Sequence, residues 1–131
     1  MSILDRFKLT GKVALITGGS RGIGAAIAKA YAEAGADLVL AARDEVPLEK
    51  TAAQLRKLGV KVLTVQTDVM QEEQLESLVE TALQSMGRID VLVNNAVAAS
   101  DRIQYASAQP GLVYGYTRAR AHLPGVFSDA K

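Results

Sequence analysis

Residues 17–24 read Thr-Gly-Gly-Ser-Arg-Gly-Ile-Gly, at the point where the apolar run Val13-Ala14-Leu15-Ile16 gives way to a helical pattern. This arrangement has the chemistry of a phosphate cradle. Gly18, Gly22 and Gly24 remove side chains where the chain must turn tightly, where a pyrophosphate must approach the backbone and where a helix must pack on a sheet. A helix opening there offers unpaired N–H groups and the positive end of its dipole to an anion. Three spaced glycines alone are a weak signal, with a structural turn as the plain alternative. Placed after a strand, at the start of a helix and ahead of a second strand, they favour a dinucleotide site.

The elements that must position this loop are legible from periodicity. Up to Asn95, short apolar runs alternate with helical stripes, the pattern of an α/β unit in which helices cover a parallel sheet. The first strand spans Val13 to Thr17. A helix from Gly22 to about Ala34 places Ile23, Ile27, Ala30, Tyr31 and Ala34 on one face, and Gly35 stops it. Leu38 to Ala41 form the second strand. The next helix begins near Pro47, carries Leu48, Ala52, Leu55 and Leu58, and ends at Gly59. Val60 to Val65 form the third strand. The third helix has the clearest stripe: Leu75, Leu78, Val79, Ala82, Leu83 and Met86. Gln71, Glu72 and Glu73 lie in its first turn, and Met70 at its cap position forgoes about 1 kcal/mol of capping. Gly87 closes it and Ile89 to Asn94 form the fourth strand.

Composition narrows the class. The 131 residues are 49 % hydrophobic and 22 % charged with a net charge of +1, so the balance is that of a globular protein of one domain. That charge implies no bulk attraction to nucleic acid or to an anionic membrane. There is no cysteine, hence no disulfide or thiolate metal site, and no apolar run long enough to span a bilayer. Met1 to Arg6 lack the layout of a secretion signal, so a cytoplasmic location is expected.

After Ala96 the character changes. Residues 98–131 hold three of the four tyrosines, the single histidine and two Pro-Gly steps, and they read as an irregular tail beyond a unit spanning 1–97. At most, Val113 to Tyr116 form a short strand. His122 has no partner at metal or triad spacing and reads as a bystander, so no metal site is assigned. The segment Tyr114 to His122 interleaves aromatic and basic residues, but a tail charge of only +2 argues against nucleic acid.

With Thr17 ahead of the glycine loop, Asp68-Val69 after strand three and Asn94-Asn95-Ala96 after strand four, residues 5–96 resemble the short-chain dehydrogenase/reductase family. The resemblance implies a Rossmann-type, doubly wound parallel sheet cut to four strands in the order 3-2-1-4. It also implies residue roles. Gly18, Ser20, Arg21, Gly22, Ile23 and Gly24 would line a pyrophosphate and ribose. Asp68 and Val69 would flank adenine, the Asp68 carboxylate accepting from its exocyclic amine. Asn95 and Ala96 would lie beside the nicotinamide-side ribose while Asn94 helps to hold the sheet. Taken alone, Asp68 has a helix cap as its lesser alternative, whereas Asn94-Asn95 read first as a strand-end turn.

Cofactor choice rests on the end of strand two. A carboxylate there binds the 2′-hydroxyl of NAD, whereas arginine accommodates the 2′-phosphate of NADP. Aligned to the family pattern, the carboxylate position is Ala42; Arg43 follows it, and Arg21 can reach the same phosphate. Two guanidiniums with no carboxylate facing them favour NADP over NAD. Asp44 argues the other way from its distance to the loop, but it is placed at the start of the next helix.

Hydride transfer in the family needs a tyrosine, a lysine four residues later and an upstream serine, the tyrosine passing a proton to the carbonyl oxygen. Four residues after Tyr105, Tyr114 and Tyr116 stand Gln109, Arg118 and Arg120, so no catalytic residue is assigned. Val97 stands where the family motif has glycine, which suggests a reading-frame change or altered splicing near codon 97. The expected function is therefore that of an NADP-dependent oxidoreductase fragment acting by family on a carbonyl or alcohol. The alternatives are an inactive nucleotide-binding module or a truncated product without a role. Left unpaired, strand four would expose an edge and part of Val91, Leu92 and Val93, which predicts low solubility or self-association unless the tail folds over the sheet.

Overall fold

The computed structural model describes residues 2–95. Ala96, Val97 and the whole 98–131 reading lie outside the described residues. The elements are α1 (Ile3–Arg6), β1 (Val13–Thr17), α2 (Gly22–Glu33), β2 (Asp37–Ala42), α3 (Glu45–Arg56), β3 (Val62–Gln66), α4 (Glu72–Met86) and β4 (Val91–Asn94). The strands form one parallel sheet in the order β3-β2-β1-β4, as the resemblance implies.

Both faces of the central strands are covered, which is why β1 reads as an unbroken apolar run and is buried at every position. Side chains alternate across a strand. Val13 and Leu15 of β1, with Val39 and Ala41 of β2, meet Leu75, Leu78, Val79, Ala82 and Leu83 of α4. Ala14, Ile16, Leu38 and Leu40 point the other way, against Ala28 and Ala32 of α2 and Leu48, Ala52 and Leu55 of α3. The chain steps outward from β1 to β2 to β3, then crosses back to β4 on the far side of β1. That reversal puts α4 on the opposite face and makes the sheet doubly wound.

The buried face of α2 differs from the expected stripe. Gly24, Ala28 and Ala32, four residues apart, lie against the sheet, while Ile23 is 73 % exposed and Ala30 is also exposed. Ile27 and Tyr31 only flank the contact. Hydropathy singles out the bulky residues, but the line of closest approach between a helix and a sheet admits only small ones. Further along, α3 begins two residues before Pro47, and Leu58 falls beyond its end and is exposed. For α4 the cap position is Gln71 rather than Met70; the 68–71 turn holds Met70 outside the helix, with Gln71 N–H donating to the Asp68 carbonyl at 3.0 Å.

Both edges of the sheet are tied down locally. Beside β3, Arg56 donates twice to the Val62 carbonyl, at 3.1 and 2.8 Å, and pairs with Glu49, which accepts from Thr64 Oγ1 at 2.7 Å. Just before β4, Asp90 accepts from the buried Val13 N–H at 2.8 Å and holds the Arg88 guanidinium through both carboxylate oxygens. Burial alone would raise the Asp90 pKa, but the Arg88 and Val13 hydrogen bonds outweigh it and hold the carboxyl below the ordinary range. Every residue of β4 is half-buried. Among the described residues, no helix is long and apolar enough to cross a membrane.

Candidate dinucleotide site

All four strands point their carboxyl ends the same way, so the loops after them gather at one end of the sheet, where strand order reverses between β1 and β4. A cleft of about 260 Å³ opens there. Its walls are Gly18, Ser20 and Arg21 after β1; Ala42, Arg43 and Asp44 at the end of β2; Thr67 to Met70 after β3; and Asn95 after β4. Seven of the residues singled out by sequence therefore meet here: Gly18, Ser20, Arg21, Arg43, Asp68, Val69 and Asn95.

Gly22, Ile23 and Gly24 stand apart from these walls, in the first turn of α2. Arg21 occupies the N-cap, but no side chain caps this helix and its first turn holds no acid. By contrast, α3 and α4 begin with Glu45 and with Glu72 and Glu73. The first turn of α2 thus supplies no acid of its own to the helix's positive end. Gly18 and Gly22 have φ of +67° and +59°, where a side chain is strained. Gly24 serves closeness instead. A Cβ there would lie 2.0 Å from the Gly18 carbonyl oxygen and 2.5 Å from Asn95 Nδ2.

The loop is held on three sides. Gly18 N–H continues the sheet ladder to the Ala41 carbonyl at 2.8 Å. The Thr51 hydroxyl of α3 donates to the Ser20 carbonyl at 2.7 Å. Asn95 bridges from β4, its N–H donating to Thr17 Oγ1 at 3.1 Å and its Nδ2 to the Gly18 carbonyl at 3.3 Å. Neighbouring Asn94 lies in register with Thr17, and its Oδ1 is buried without a hydrogen-bond partner among the described residues.

Two features alter the expected electrostatics. Arg21 Nη2 pairs with the Asp44 carboxylate at 3.0 Å, so the premise of two guanidiniums with no facing carboxylate holds only for Arg43. Asp44 stands at the start of α3, as expected, in the N-cap position but without a side-chain cap hydrogen bond, and its carboxylate reaches Arg21 across the cleft mouth. Arg43 is in no ion pair among the described residues. On the third loop, Asp68 is not the cap of α4. One of its oxygens accepts from Met70 N–H at 3.0 Å, its own N–H donates to Gln74 Oε1 at 2.7 Å, and its other oxygen has no hydrogen-bond partner among the described residues. Sequence reasoning missed Thr67 and Met70 as wall residues and Thr51 as an anchor; Thr67, next to Asp68 at a strand end, had a positional signal, whereas Thr51 had none.

The profile of the short chain dehydrogenase family matches residues 12–110. The chain belongs to that family. It is 46 % identical over 93 residues to an uncharacterized oxidoreductase of Mycobacterium tuberculosis (strain CDC 1551 / Oshkosh), a match covering 71 % of this chain and 35 % of the relative. The chain thus spans about a third of that relative's length. Among solved structures it is similar to L-sorbose reductase from Gluconobacter frateurii complexed with NADPH and L-sorbose. The TM-score is 0.71 at 40 % identity, over 89 % of this chain and 48 % of that one. It is similar also to NAD+-bound xylitol dehydrogenase, with a TM-score of 0.78 at 28 % identity over 88 % of this chain and 50 % of that one. Family members of known structure thus bind either dinucleotide, and the short-chain dehydrogenase sheet is the one found here.

Proposed function

We propose that this chain is the coenzyme-binding part of an NADP-dependent short-chain oxidoreductase. Its pyrophosphate rests on the amides at the start of α2, and its adenosine half lies in the cleft. The observation that carries this reading is the uncapped, acid-free N-terminus of α2 opening beside a cleft lined by the glycine loop. Gly22, Ile23 and Gly24 contribute backbone N–H groups, and Gly18 and Ser20 the turn that brings them close. The Asp68 oxygen that does not bond Met70 N–H accepts from the adenine amine, with Val69 against the ring. Asn95, with Ala96 beyond it, reaches the nicotinamide-side ribose.

Arg43, just after β2 and in no ion pair among the described residues, selects the 2′-phosphate of NADP, and Arg21 joins it when that phosphate draws it from Asp44. The NADPH complex of L-sorbose reductase supports this choice, and the NAD+ complex of xylitol dehydrogenase marks the alternative. When bound, the reduced nicotinamide supplies hydride to a carbonyl carbon of the substrate. Tyr31 is the one tyrosine among the described residues and has Gly35 four positions on, so the proton donor of that reaction is not assigned to them.

Calorimetric titration tests the reading. NADP+ should bind more tightly than NAD+, and Arg43→Asp should reverse that order. An unchanged preference in Arg43→Asp overturns the assignment of the 2′-phosphate. NADPH oxidation over a panel of carbonyl compounds then separates turnover from binding alone. Binding without turnover is the second reading, and that assay decides it.

A further inference from the structure

Met70 is anomalous on three counts. It is 64 % exposed although apolar, and it belongs to neither core cluster, whereas its neighbour Val69 packs against the α4 side. It lies just before the N-cap of α4 and contributes nothing to capping. It nevertheless lines the cleft, next to Asp68, one of whose oxygens accepts from Met70's own N–H while the other has no hydrogen-bond partner among the described residues. An acceptor oxygen beside an apolar, polarizable wall suits a flat heteroaromatic ring bearing an amine.

We infer that Met70 is the outer wall of the adenine seat, its thioether closing over the ring face while Asp68 takes the amine. This rests on the dinucleotide reading above. A flexible thioether adapts to a ring edge or face and gains polarizable contact that an alanine or serine cannot supply. The residue therefore sets affinity for the adenosine half without touching the pyrophosphate.

Oxidative footprinting of the full chain tests it. Hydrogen peroxide transfers one oxygen to the thioether sulfur and leaves as water, and mass spectrometry reads Met70 against half-buried Met86 as the internal reference. Saturating adenosine 2′,5′-bisphosphate should slow Met70 oxidation about fivefold or more, with Met86 unchanged, while inorganic pyrophosphate should leave Met70 at its free rate. In parallel, Met70→Ala should weaken the bisphosphate by about three- to tenfold and leave the pyrophosphate affinity unaltered. If calorimetry shows the bisphosphate bound and Met70 still oxidises at its free rate, the inference is overturned while the dinucleotide reading stands. Equal protection by pyrophosphate overturns it as well. If neither the bisphosphate nor NADP+ binds, the dinucleotide reading itself fails.

Discussion

Gly24→Ala should damage this protein far more than its single added methyl suggests. The new Cβ would sit 2.0 Å from the Gly18 carbonyl oxygen and 2.5 Å from Asn95 Nδ2, where ordinary contact begins at 3.4 Å. The oxygen must therefore retreat by about 1.4 Å, and it belongs to backbone rather than to a flexible side chain. Overpacking of this kind costs about 1–3 kcal/mol, and the rigid neighbours place Gly24→Ala at the upper end. The retreat also disturbs the Asn95 Nδ2 hydrogen bond to Gly18 at 3.3 Å, coupling the damage to the phosphate loop. Gly22→Ala is the matched comparison: its Cβ meets nothing within 4 Å, so only its φ of +59° is penalised, by about 1–2 kcal/mol. Urea unfolding should rank wild type, Gly22→Ala and Gly24→Ala in descending stability. Calorimetry should show NADP+ affinity falling at least about tenfold in Gly24→Ala, the loss of roughly one charge-assisted hydrogen bond. A Gly24→Ala protein that unfolds within about 0.5 kcal/mol of wild type and binds NADP+ equally would refute the close-approach argument.

Other perturbations probe the supports around the loop. Asp44→Asn releases Arg21, and since both side chains of the pair are well exposed, at 74 % and 65 %, stability should change little. NADP+ affinity should instead rise about two- to fivefold, with NAD+ affinity level or lower, as competitive titrations would reveal. Asp90→Ala strands the buried Val13 N–H and should cost about 1–3 kcal/mol by chemical denaturation, the Asp90 side chain being only 16 % exposed. Because the folded state holds the Asp90 carboxyl below its ordinary range, this contribution is present above the unfolded pKa of about 3.9 and vanishes as pH falls through the lower folded value. Wild type should accordingly lose more stability than Asp90→Asn between about pH 5 and pH 3; parallel curves would remove Asp90 from the account. Thr51→Val deletes the hydroxyl that holds the Ser20 carbonyl, and should weaken NADP+ by about three- to tenfold with a stability loss of about 1 kcal/mol.

Much of the sheet was readable in advance because its strands are short apolar runs separated by glycines at the helix ends; Gly35, Gly59 and Gly87 all have positive φ. That the glycine loop, Asp68-Val69 and Asn95 would meet follows from parallel strands, which bring the loops after every strand to one end; the roles given to them came from the family resemblance alone. What escaped prediction depended on distance rather than on type. The α2 face was misplaced because Gly24, Ala28 and Ala32 carry little hydropathy, yet they alone fit where helix and sheet nearly touch. The Arg21–Asp44 pair joins residues 23 apart whose meeting is set by how α3 is seated. Met70 looked like a failed cap because its turn shifts the true cap to Gln71.

The central claim is that a dinucleotide's pyrophosphate sits on the bare amides where α2 begins. Amide-resolved NMR of the chain during titration with NADP+ tests it most directly. The N–H signals of Gly22, Ile23 and Gly24 should move with the same midpoint as calorimetric binding, while those in the middle of α3 and α4 stay still. Saturating NADP+ that leaves the three amides unmoved would contradict the claim.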